Sequence, residues 1–110
     1  MHYMNLHAAP FEKIKSGEKT IELRVYDEKR QQIKVGDNIV FTNNATGEEL
    51  TKTVKMLHLF DSFEALYNAL PLLKCGYTTD DIDTAKPSDM GQYYSLDKQK
   101  KYGVVGIELC

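Results

Sequence analysis

The sequence predicts an α+β fold that is mainly β: a small, strongly curved sheet or barrel with short helices at its ends. Three observations carry that prediction. Stretches 19–26, 38–41, 50–59 and 102–109 alternate or run apolar in the manner of strands, with turn signals between them. One clear helical period, over 61–70, interrupts them. The closing stretch 102–109 is apolar on both faces, which suits a central strand.

Taken in order, residues 2–7 alternate loosely and lead through Ala8-Ala9-Pro10 into a helix start. Pro10 fits the first helical turn, where its missing N–H costs nothing. Phe11 and Ile14 form a small inward face, and Ser16-Gly17 stops the helix. At about two turns, it persists only by leaning on a sheet. In the strand over 19–26, Ile21, Leu23 and Val25 point to one face and Thr20, Glu22, Arg24 and Tyr26 to the other. Residues 27–32 are polar throughout and read as a solvated loop. Ile33 and Val35 resume the apolar beat before the Gly36-Asp37 turn and the next strand. Asn43-Asn44-Ala45-Thr46-Gly47 is a hairpin loop. The long strand over 50–59 offers Leu50, Val54, Met56 (or Leu57) and Leu59 as inward residues and calls for a bulge. Over 61–70, Asp61 or Ser62 caps a helix whose Phe63, Leu66, Tyr67 and Leu70 share a face, and Pro71 closes it. An acidic segment, 78–83, suits a second helix start. Residues 86–95 read as loop plus a helical turn, and 97–101 as polar connection before the last strand.

At 110 residues the chain suits one domain, 1–110, with a single core. Its 42% hydrophobic content is too high for disorder, and its net charge of -2 supplies no global field toward nucleic acid. The first sixty residues carry nine Lys/Arg against eight Asp/Glu, the remainder five against eight. A polyanion would therefore meet a local patch, on the first half. Two cysteines, Cys75 and Cys110, in a chain with no basic and apolar leader point to a cytoplasmic protein with reduced thiols. No apolar run is long enough to span a membrane, so no membrane partner is expected.

Nucleotide-cofactor glycine loops and a Gly-x-Ser-x-Gly elbow are absent from the sequence. His2, His7 and His58 with the two cysteines lack zinc spacing. Neither a cofactor nor a metal is expected. His58 reads as a satisfied strand residue, while His7 is placed to line the same cavity as Lys19.

What remains is Lys19, Glu22 and Arg24, with Tyr94 and Ser95 near the last strand as distant partners. A neutral lysine at a cleft edge serves as base or nucleophile; a charged one binds phosphate or polarises a carbonyl. Glu22 suits either pairing with Lys19 or proton transfer in hydrolysis. Arg24 suits a bidentate phosphate or carboxylate contact, or a structural pair with Glu22. A plain surface ladder of opposite charges would look much the same. Tyr26, Phe41, Tyr93, Tyr94 and Tyr102 offer rings for stacking a base, although packing is the commoner use of such residues. Lys29-Arg30 and the basic run 98–101 suit a phosphate backbone or a solvated loop equally.

Gly17-Glu18-Lys19-Thr20-Ile21-Glu22-Leu23-Arg24 is similar to the Gly-x-Lys-x-x-Glu-x-Arg signature of the ASCH domain family, within the PUA-like superfamily. The similarity extends to Pro10-Phe11, Asp27-Glu28-Lys29-Arg30, the run 33–41, Ser62-Phe63, Tyr94-Ser95 and the run 102–107, essentially the whole chain. It resembles small bacterial single-domain members. The resemblance implies a PUA-like mixed β-barrel with short flanking helices and a cleft where the motif meets the helical insert. It also implies RNA binding or recognition of a modified base. Some ASCH-like proteins resemble amidohydrolases acting on acetylcytidine, in which the motif lysine is catalytic. Ribonuclease activity is attributed to other members, with a lysine, a tyrosine and a serine implicated. On that basis the expectation is an RNA- or nucleoside-binding protein, with a nucleoside hydrolase or ribonuclease as the alternative. Lys19 and Glu22 are the candidate catalytic residues; Arg24, Lys29, Arg30, Tyr94 and Ser95 are the candidate ligand contacts. In the deacetylating relatives a threonine stands at the position of Glu22. Their catalytic glutamate has only Glu64 or the acidic run Asp80, Asp81, Asp83 as nearest counterparts here.

Overall fold

In the computed structural model, which describes residues 1–92 and 94–110, five strands form one curled mixed sheet. They are β1 (His2–Leu6), β2 (Ile21–Val25), β3 (Asn38–Asn43), β4 (Glu49–Phe60) and β5 (Val104–Leu109). Their spatial order is β1-β3-β4-β5-β2. The helices are α1 (Ala8–Ser16), α2 (Phe63–Ala69) and α3 (Leu96–Tyr102). The predicted curved, mainly β architecture with short flanking helices is the one observed.

The connections differ from a run of consecutive hairpins. Among the described residues only β3 and β4 are joined by a short loop, with Thr42 opposite Glu49. β1 lies parallel to β3, Met4 opposite Phe41, and β2 crosses to the far side to pair antiparallel with β5. β5 is thus held between β4 and β2, as its two-sided apolar pattern requires.

Two apolar clusters cover the two faces of the curl. In the first, Met4 and Leu6 of β1, Ile39 and Phe41 of β3, and Val105, Ile107 and Leu109 of β5 enclose Phe11 and Ile14 of α1. Each of those helix side chains is fully buried, a contribution of about 1.5–3 kcal/mol apiece. In the second, Ile21, Leu23 and Val25 of β2 meet Phe63, Leu66 and Tyr67 of α2, with Cys75, Met90 and Val104. α2 starts at Ser62, whose hydroxyl accepts the Ala65 N–H, so Ser62 rather than Asp61 is the cap.

Several local expectations are corrected. The bulge in β4 falls between Val54 and Met56, and beyond it Leu57 packs against the core while Met56 is exposed. Leu59, read as inward, is also exposed, as is Val35. The segment 27–32 is not free loop: Asp27 accepts the Arg30 backbone N–H and its side chain, and a short 3-10 turn follows at Arg30–Gln32. The polar stretch 97–101 is helical, in α3, with Gly103 at its end.

The sheet stops short of a closed barrel. β1 and β2 are its two ends in the strand order, and Arg24 Nη2 reaches across to donate to the Asn5 carbonyl at 3.3 Å. That seam is where the candidate site lies.

Candidate functional site in the seam between the first two strands

Alternation along β2 sends Ile21, Leu23 and Val25 into the second apolar cluster and turns Glu22 and Arg24 toward the seam. Unlike an ordinary solvated strand face, this one is covered. Glu22 is 4% exposed and Lys19 9%. Lys19 Nζ lies 2.8 Å from Glu22 Oε1. Arg24 donates to Glu22 Oε2 twice, from Nε at 3.2 Å and from Nη2 at 2.9 Å. Both carboxylate oxygens are therefore occupied, and the triad carries one net positive charge.

Burial is the largest influence on Glu22 and opposes its ionisation. Lys19 and Arg24 together overcome it, and the carboxyl sits below the ordinary range. Burial likewise works against the Arg24 charge, and Glu22 and Tyr94 more than restore it. A Glu22 locked in its ionised form by two cations is poorly suited to exchange protons.

Around the triad is a cleft of about 860 Å³. On one side it is walled by the end of β1 and by α1, where Asn5, His7 and, from the last turn of the helix, Lys13 line it. The opposite wall comes from Tyr67 of α2 and, in the irregular insert after it, from Tyr77, Asp89 and Tyr94. The Tyr94 ring stacks on Phe63 of α2, centroids 6.1 Å apart. Its phenol is held above the usual value mainly by burial, against the pull of Arg24. Tyr67 and Tyr77 share a hydroxyl–hydroxyl hydrogen bond, and Tyr77 O–H donates to Asp89 at 3.1 Å. Burial first, then these neighbours, push the Tyr77 phenol strongly up, so it stays protonated.

The cleft floor is shaped by Gly76. A Cβ there would stand 3.2 Å from Lys19 Cδ, and its φ of +106° suits glycine. The Gly76 carbonyl accepts from Lys13 Nζ at 2.7 Å. Beside it the Cys75 thiol is pushed up to about 11 by burial, so it lines the cleft as an inert group and not as a nucleophile. One of the three Lys19 ammonium donors reaches Glu22. Among the described residues no hydrogen bond is made by the other two, which leaves a buried ammonium open to a ligand.

A family model, ASCH domain, matches residues 4–110. The chain belongs to the ASCH domain family. Among solved structures, a hypothetical protein, PH0355, is 35% identical with a TM-score of 0.78, over 99% of this chain and 97% of that one. Protein PF0455 from Pyrococcus furiosus is 34% identical with a TM-score of 0.72, over 98% and 94%. An ASCH protein from Zymomonas mobilis shares the fold at 11% identity, with a TM-score of 0.67 over 98% and 65%. No curated protein matches the chain.

Of the residues singled out from the sequence, this ASCH cleft brings together Lys19, Glu22, Arg24 and Tyr94, and His7 at its rim. Lys29 and Arg30 do not line it. Arg30 is paired with Asp27 at 3.0 Å and Lys29 is exposed. Ser95 is also outside: it is the N-cap of α3, its hydroxyl accepting the Lys98 N–H at 3.2 Å. Ser95→Ala is therefore expected to lower stability by about 1 kcal/mol in urea denaturation while leaving cleft ligands bound as before. Glu64, Asp80 and Asp83 are exposed and off the cleft, whereas Asp81 is at its edge. Phe41 is buried in the core, and Tyr93 falls outside the described residues. Among the described residues no group of His, Cys, Asp and Glu is placed to hold a metal ion, and no helix is long and apolar enough to cross a membrane.

Sequence reasoning missed Lys13, Tyr67, Tyr77 and Asp89. Tyr67 carried a signal of a different kind, since its helical spacing marked it as core, and it is both core and wall.

Proposed function

We propose that this ASCH protein binds RNA or a modified nucleoside, with one base seated in the seam cleft. The observation that carries the reading is the Lys19 ammonium, buried, using one donor on Glu22 and facing an aromatic wall. Lys13, Lys19 and Arg24 stand against Glu22, Asp81 and Asp89, so cations and carboxylates balance in the cleft. A neutral, polar, flat group fits such a lining better than a phosphate does. Base edges present both donors and acceptors, and Tyr94, Tyr67 and Tyr77 supply the ring surfaces that single bases use. Membership of the ASCH family supports an RNA-binding or related role.

Fluorescence polarisation with short single-stranded RNAs, and calorimetry with free and acetylated nucleosides, test this reading. Lys19→Ala is expected to weaken binding about tenfold or more, the loss of one charge-assisted hydrogen bond of about 1.5–3 kcal/mol. Equal affinity in the variant would sink the proposal.

A hydrolase on acetylated nucleosides is the second reading, favoured by the same open ammonium, which is placed to polarise a substrate carbonyl. Glu22 has both oxygens engaged, so in that reading its part is to hold Lys19 in position. Chromatographic turnover of acetylcytidine no greater than that of a Lys19→Met control would remove it.

A further inference from the structure

A second cavity, of about 600 Å³, opens at the other end of β2. Tyr26, Phe60 and Tyr102 line it, with the exposed Leu59 among them. Lys100 and Lys101, from the last turn of α3, face Asp61 across it. Among its lining residues two ammonium groups stand against one carboxylate, with the Glu28 carboxylate beside them on the Tyr102 hydroxyl. Lys101 Nζ stands 5.0 Å from the centre of the Tyr102 ring, and Tyr102 O–H donates to Glu28 at 3.2 Å. The ring is thereby fixed with a cation over its face.

The two cavities open near opposite ends of β2. Arg24 lines the first and Tyr26 the second, two residues apart along the chain. Tyr26 follows directly on the end of β2, roughly 7 Å along the backbone from Arg24.

We propose that the second cavity receives a flanking nucleotide of a single-stranded RNA whose recognised base sits in the cleft. This rests on the nucleic-acid reading of the cleft and adds a site to it. The flanking base lies against Tyr26 and Tyr102, and its phosphate meets Lys100 and Lys101. The division of labour follows from charge. Among lining residues the cleft has no surplus cation for a phosphate, whereas the second cavity has one. The RNA is held as a polyanion only where the lysines are, which suits a protein whose net charge is negative.

The test is polarisation with labelled single-stranded RNAs of increasing length at two or more salt concentrations, beside calorimetry with a free nucleoside. The double variant Lys100→Ala/Lys101→Ala changes exposed positions on a helix that tolerates alanine. It is expected to bind the nucleoside as the wild type does, to lose about tenfold for the longer RNAs, and to flatten the salt slope by about 1–2. Lys101→Glu should act in the same direction, more strongly. RNA binding that Lys19→Ala abolishes but the double variant leaves intact, in affinity and in salt slope, overturns the second site alone. Wild-type protein that binds neither RNA nor nucleoside overturns the reading of the cleft and this inference with it.

Discussion

Glu22→Gln is expected to lower folding stability by about 3–5 kcal/mol, a large part of what a domain of this size has to lose. The substitution keeps the shape of the side chain and removes its charge. Lys19 and Arg24 then face each other in a nearly buried seam with no counter-charge, and the carboxylate that accepted three hydrogen bonds from them is gone. Urea denaturation checks this: the midpoint should fall with little change in slope. The pH dependence supplies a second readout. The folded-state pKa of Glu22 is below its ordinary 4.5, so its ionised form stabilises the fold above that value. That contribution is lost as pH falls below about 4.5 and through the lowered folded value. The gap between wild type and Glu22→Gln should therefore narrow on acidification in that window. A constant gap from neutral pH into the acid range would mean that the charge of Glu22 is not what holds the seam.

The same triad shows what sequence could and could not tell. Gly17 to Arg24 announced a turn, a strand and charges two residues apart, and the family resemblance singled them out. Alternation did not reveal that the charged face is buried. Burial depends on β1 closing over it, and β1 is held there by parallel pairing with β3, 37 residues further along the chain, which leaves no local signal. α1, the hairpin at Asn43 to Gly47 and α2 were legible because each is punctuated by caps or turn residues and carries an apolar period. α3 was not: Leu96 is exposed and Leu96–Tyr102 has no buried residue, so only its Ser95 cap and Gly103 terminus mark it. The far wall of the cleft was hidden for a related reason. The insert that bears Tyr77 and Asp89 is built of short 3-10 turns, which have no period to read. In β4 the expected bulge puts Leu57 and not Met56 on the core, while Leu59, on the same face as Leu57, is exposed near the strand's end, where alternation gives no warning.

Gly103→Ala is expected to cost about 3 kcal/mol or more, through backbone strain and a collision acting together. Gly103 has φ +71° and ψ -169°, a region that only glycine enters without strain, at about 1–3 kcal/mol for any other residue. An added Cβ would also stand 2.9 Å from the Phe60 carbonyl oxygen. Backbone at the end of β4 cannot yield as a flexible side chain would, because Phe60 is already in register with Val104. The Gly103 carbonyl accepts the Tyr26 N–H at 3.0 Å, so one residue ties the ends of β2, β4, β5 and α3 together. Moving it disturbs all four, along with the cavity it lines between Tyr26 and Lys101. Gly91→Ala is the matched comparison, since a Cβ there meets nothing within 4 Å. It should stay within about 0.5 kcal/mol of wild type. Urea midpoints for the two variants separate the cases. Equal, small effects would show that the junction at Gly103 relaxes, and that neither its backbone conformation nor its closeness to Phe60 is what closes this end of the sheet.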